Sequence, residues 1–111
     1  MIANSMKAVQ KGRTHMYARV ITVQYQLDKM DEGEQLYRDS LVNARQQAGF
    51  KEAFGLANRT TGKAMSIVLW ETEADVKARE ASADFQALMA KFAPLLATAP
   101  IIEIYEVVVQ E

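Results

Sequence analysis

The chain has 111 residues, no cysteine, one histidine, and thirteen Lys plus Arg against fourteen Asp plus Glu. That length supports one domain. The balanced charge excludes the basic footprint of a nucleic-acid binder, and the missing cysteines exclude disulfides, thiolate catalysis and thiolate metal sites. Half of the residues are apolar, which suits a single core, since a chain of this size buries roughly two-thirds of its extended surface on folding.

Residues 1–14 are polar and basic without a sustained period, and they read as a loose leader ahead of a domain over 15–111. No apolar segment follows those basic residues, so the pattern of a secretory signal is absent. No apolar run approaches the ~18 residues of a membrane span. A cytoplasmic protein without a membrane partner is the expectation.

Met16 to Gln26 is rich in β-branched and aromatic residues and predicts the first strand. Asp31, followed three residues later by Glu34, has capping-box spacing and predicts the start of a helix. Tyr37, Leu41, Ala44 and Ala48 form its buried stripe with Leu36 beside it, and Gly49 supplies the stop. Phe50 to Asn58 and Ala64 to Glu71 predict a hairpin around the polar loop Arg59-Thr60-Thr61-Gly62-Lys63. Thr72 with Asp75 opens a second helical region, polar over 73–81. Beyond Ser82 that region gains an apolar face of Phe85, Leu88, Met89 and Phe92, then Leu95 and Leu96. Pro94 breaks it, and Ile101 to Gln110 predicts the last strand. The order β-α-β-β-α-β is that of ferredoxin-like α+β folds, with a four-stranded antiparallel sheet and the helices on one face.

A sheet with one wet face should alternate apolar and polar residues. Here Met65, Ile67 and Leu69 oppose Val68 and Trp70, while Ile102, Ile104 and Val108 oppose Ile101, Tyr105, Val107 and Val109. Both faces are apolar. Exposing one leaves a patch of several hundred Å², the range that marks an interaction site, so a homodimer is expected.

The segments MYARVITVQYQLDK, QAGF, NRTTGKAMSIVLWETEAD and IIEIYEVVVQ resemble the antibiotic biosynthesis monooxygenase family of the dimeric α+β barrel superfamily. The most specific element is the strand ending Leu69-Trp70-Glu71-Thr72 before an acidic helix start. The resemblance implies a homodimer with facing sheets and a pocket between sheet and helices in each subunit. It also implies a small-molecule enzyme or binder. Some members oxygenate aromatic or quinol-like substrates without metal or organic cofactor, so none is expected here. The alternative is a non-catalytic dimeric module that binds a hydrophobic metabolite or a protein partner.

Carried over residue by residue, the match is partial. Trp70 aligns with the tryptophan lining the pocket of characterised oxygenases, but Ser66 stands where those enzymes have asparagine. Met89 stands where haem-degrading relatives have an axial histidine, and Val20 or Ile21 where they have an asparagine.

Each candidate also has a structural reading. Trp70 serves either as core or as pocket wall. Arg19, inside an apolar strand on the face of Tyr17 and Ile21, needs a partner or a pocket opening; a salt bridge at the barrel end and ligand binding both satisfy it. Phe85 and Met89 pack helix against sheet or contact a ligand. The candidate substrate-binding set is therefore Trp70, Ser66, Arg19, Phe85 and Met89, around a small aromatic ligand. His15 alone cannot build a histidine metal site or a Ser-His triad. Glu103 and Glu106 fall on opposite strand faces and form no carboxylate pair. No metal site is expected, and no catalytic base can be named.

Overall fold

β-Branched and aromatic residues hold Tyr17–Gln24 extended as β1; the computed structural model describes residues 16–111, so the expected leader over 1–14 and His15 lie outside the described residues. The remaining elements are α1 (Met30–Ala44), β2 (Phe50–Ala57), β3 (Lys63–Trp70), α2 (Glu73–Ala81), α3 (Ala83–Phe92) and β4 (Ile101–Glu106). The four strands form one antiparallel sheet in the order β2-β3-β1-β4. This is the β-α-β-β-α-β ferredoxin-like arrangement. Among the described residues no helix is long and apolar enough to cross a membrane.

Several boundaries differ from those the sequence predicts, each for a local reason. Asp31 does not cap α1. A 3-10 turn over Leu27–Lys29 runs straight into the helix, Lys29 occupies the cap position without a side-chain bond, and Asp31 pairs with Arg59 instead, 3.1 Å away. At the other end α1 stops at Ala44, four residues before Ala48. There Gln47 donates to the carbonyl and the side-chain oxygen of Asn43, and the chain turns into β2 through Gly49 at φ +83, where a side chain is disfavoured.

Thr72 does cap α2. Its hydroxyl accepts from the Asp75 amide at 3.1 Å and donates to the Asp75 carboxylate at 2.9 Å. The second helical region is two helices rather than one. Ser82 adopts an extended conformation, ends α2 and caps α3, donating to the Arg79 carbonyl and accepting from the Phe85 amide. A short hydroxyl side chain competes well for backbone groups, and here it breaks the helix without a proline. β4 is shorter than expected. One further bond, from the Val107 amide to the Met16 carbonyl, extends it beyond Glu106.

The ladder registers sort the side chains by face. Arg19, Ile21 and Val23 share the helix-covered face with Ala64, Ser66, Val68 and Trp70 of β3, and with Ile102 and Ile104 of β4. The opposite face carries Ala18, Val20 and Thr22 in the middle, with Met65, Ile67 and Leu69 on one side and Ile101, Glu103 and Tyr105 on the other. Phe54 and Leu56 of β2 extend it. Phe54, Leu56, Ile101 and Tyr105 are each about half exposed.

Two buried clusters lie under the helices. One is Tyr25, Met30, Phe92 and Leu95; the other is Val68, Trp70 and Val76. Tyr25 lies flat on α1 where Gly33 leaves room, and a β-carbon at Gly33 would overlap its ring. Gly→Ala inside a helix ordinarily stabilises by about 1 kcal/mol. Gly33→Ala is expected to do the reverse, lowering stability by about 1–3 kcal/mol through overpacking. A urea unfolding midpoint at or above that of the parent chain would contradict this packing.

Candidate functional site

A cavity of about 470 Å³ separates the helix-covered face of the sheet from the helices. β1 and β3 build one wall with Arg19, Ile21, Val23, Ser66 and Val68. The helices supply Tyr37 and Leu41 from α1, Arg79 from α2, and Phe85, Leu88 and Met89 from α3. Tyr25, Met30 and Phe92 also line it, as do the charged groups Glu34, Arg38 and Arg59. Arg38 and Arg59 both bond to Glu34 and are largely exposed. They hold the Glu34 carboxyl below its usual pKa. These exposed pairs add little stability, but they tether the β2–β3 loop to α1 beside the cavity.

The Tyr37 hydroxyl, carried by α1, meets the sheet at Ser66. Ser66 Oγ donates to Tyr37 Oη at 2.8 Å, and Tyr37 Oη donates in turn to the Phe54 carbonyl at 3.2 Å. Gly55 makes this possible, because a side chain there would meet the Tyr37 ring at 2.8 Å. Burial raises the Tyr37 pKa, opposed by the Ser66 hydrogen bond and by Arg19. Tyr37 is therefore a neutral phenol near pH 7 rather than a base, and its proton is engaged by the Phe54 carbonyl.

Arg19 is 5 % exposed and makes no ion pair among the described residues. Its guanidinium stacks on Phe85, 4.5 Å from the ring centroid. Burial pushes its pKa down to about 10, with Glu80 opposing and Arg79 reinforcing the shift. Of the two readings open for Arg19, the barrel-end salt bridge is absent among the described residues.

Four of the five candidates, Arg19, Ser66, Phe85 and Met89, surround this cavity. Trp70 does not line it. It is fully buried beside Val68 and Val76, with Phe50 edge-on at 5.9 Å. Strand alternation puts Trp70 on the same face as Ser66, but four residues along a strand span about 13 Å, which carries it past the cavity and under α2. Two lining residues stand out that the sequence reading left unmarked. Tyr37 reads as an ordinary member of the α1 stripe. Arg79 sits in the polar stretch 73–81, where its spacing of three from the buried Val76 is the one signal that it faces inward. Among the described residues no three His, Cys, Asp or Glu side chains come together as a metal site.

No protein-family model matches this sequence, and neither does any curated protein. Solved structures do match. A protein of unknown function from Nitrosomonas europaea superposes with a TM-score of 0.77 at 21% identity, over 90% of this chain and 96% of that one. A "putative antibiotic biosynthesis monooxygenase" from Caulobacter crescentus gives 0.76 at 24% identity, over 85% and 91%. One of the same description from Nitrosomonas europaea gives 0.76 at 17% identity, again over 85% and 91%. The chain has the α+β fold of the structures that carry the name antibiotic biosynthesis monooxygenase, as the motif Leu69-Trp70-Glu71-Thr72 implied.

Proposed function

We propose that the chain takes a flat, hydroxylated aromatic molecule into this cavity and oxygenates it without metal or organic cofactor, working as a homodimer whose sheets pack on their helix-free faces. The observation that carries the reading is a largely apolar cavity that holds the Tyr37–Ser66 hydroxyl pair and the Arg19 guanidinium. The keto tautomer of an electron-rich polycyclic phenol carries a ring CH₂; deprotonated there, it can itself reduce oxygen, the CH₂ becoming C=O while the second oxygen atom leaves as water. The protein's share of that chemistry is to exclude water, to orient the ring, and to stabilise negative charge on the substrate oxygen. Tyr37 and Ser66 supply the orienting hydrogen bonds, and Arg19 supplies the positive charge. The dimer is supported by the exposed apolar side chains Phe54, Leu56, Ile101 and Tyr105 on one sheet face.

The test is oxygen uptake by a panel of polycyclic phenols whose keto tautomers carry a ring CH₂, with a chelator present throughout. Uptake is expected to be accelerated by the protein and to fall about 10- to 100-fold in kcat for Tyr37→Phe combined with Ser66→Ala. Uptake no faster with the protein than without it, across the panel, would overturn oxygenation. If the same compounds still bound saturably, the non-catalytic module would replace it.

A further inference from the structure

Two guanidiniums are shut away from solvent at the Phe85 end of the cavity, with no anion bonded to either among the described residues. Arg19 and Arg79 are each 5 % exposed, and Nε and Nη1 of both are buried without a hydrogen-bond partner among the described residues. Neither takes part in an ion pair among the described residues. They share a contact with one ring: Phe85 lies 4.5 Å from the Arg19 guanidinium carbon and 5.7 Å from that of Arg79. A cation–π contact offsets only part of what it costs to bury an ion, and one carboxylate, Glu80, acts on Arg19. The ring alone does not explain two cations in one place. Burial lowers the pKa of each, yet Arg19 at about 10 stays charged near neutrality. The unliganded site therefore costs folding free energy that a bound anion would offset.

We infer that the molecule held in the cavity is an organic carboxylate, its charged end at Arg19 and Arg79 and its apolar body along Leu88, Met89 and Phe92. The inference rests on the reading that this cavity binds an aromatic-sized molecule, and it adds the ionic class of that molecule.

Charge and donor count both favour a monoanion. Glu80 has one carboxylate oxygen buried without a partner and lies near enough to act on Arg19. With the two guanidiniums it leaves a single positive charge, which one carboxylate neutralises and a phosphate dianion would exceed. Asp84 acts on Arg79 but is exposed and hydrogen-bonded by Asn43, so solvent screens it. Both guanidiniums line the cavity, and a guanidinium offers several N–H donors to the lone pairs of two carboxylate oxygens. Arg38 and Arg59 are different, since Glu34 already occupies both.

The experiment is calorimetric titration of the homodimer or monomer, as isolated, with 2-naphthoate, anthracene-2-carboxylate and the primary amide of each. Acid and amide are close in shape and differ in charge. The acids are expected to bind at least tenfold more tightly than their amides. Arg19→Met should reduce that preference to within twofold, and Lys77→Gln, which removes an exposed charge from α2, should leave the preference intact. Equal affinity of acid and amide for the parent chain overturns the inference and leaves the cavity reading standing; this comparison needs no variant. A preference that survives both Arg19→Met and Arg79→Met also overturns it. Failure of acids and amides alike to bind removes the cavity reading itself, and the inference with it.

Discussion

Trp70→Ala is expected to lower the free energy of unfolding by about 3–5 kcal/mol, the range for deleting a large aromatic from a packed core. The side chain is fully buried between Val68 and Val76 and meets Phe50 edge-on, so its loss empties the junction of β3 with α2. For a domain of this size each kcal/mol lowers Tm by roughly 4–8 °C, and thermal unfolding followed by circular dichroism will show it. Trp70→Phe should cost under about 2 kcal/mol. The indole N–H has no partner in its buried setting, and removing an unsatisfied donor offsets part of the lost volume. Ligand affinity should be unchanged in the Phe variant because the residue stands outside the cavity wall. A Trp70→Ala chain within 1 kcal/mol of its parent would show that this junction is not core.

The second large effect concerns the helix-free face. Ile67 lies near its centre, between Val20 of β1 and Phe54 of β2 in the ladder registers. Ile67→Glu is expected to change a dimer mass to a monomer mass in light scattering at micromolar concentration while the far-ultraviolet spectrum of helix and sheet persists. A buried unpaired carboxylate costs several kcal/mol in an interface, and in the monomer it meets water. The same change at Ile104 should behave differently. Ile104 pairs with Arg19 on the covered face and packs against the Trp70 cluster, so Ile104→Glu is expected to unfold the chain. A parent chain that runs as a monomer at high concentration, or an Ile67→Glu dimer, would sink the face-to-face pairing.

The pattern of strands and helices was legible because each strand is a run of β-branched and aromatic residues, and because Gly49, Pro94 and Thr72 punctuate the chain with side chains of definite backbone preference. Asp31 misled because capping-box spacing says nothing of a 3-10 turn that delivers the chain to the helix already wound. Ser82 carried too weak a signal, since a single hydroxyl breaks a helix only where the geometry lets it bond both ways. At the site, alternation found the face of Arg19, Ser66 and Trp70, and helical spacing found Phe85 and Met89. What alternation lacks is distance along the strand, which separates Trp70 from the others. Arg79 escaped because a cation among other charged residues looks solvated until a neighbouring turn fixes which way the helix rolls.

The ladder between β2 and β3 slips between Phe50 and Glu52, and this small irregularity bears on how the chain behaves when concentrated. β2 is an outer strand, and outer strands offer open backbone groups on which further chains can add. The slip leaves Lys51 without a rung and bends the strand there, while the opposite border, β4, is only six residues long and carries Glu103. Neither border is a flat, uncharged template. Growth by adding strands is discouraged at both, and in the proposed dimer the contact over the helix-free face would be isologous and close at two copies. The chain can thus bear a greasy surface in solution without lengthening into a fibre.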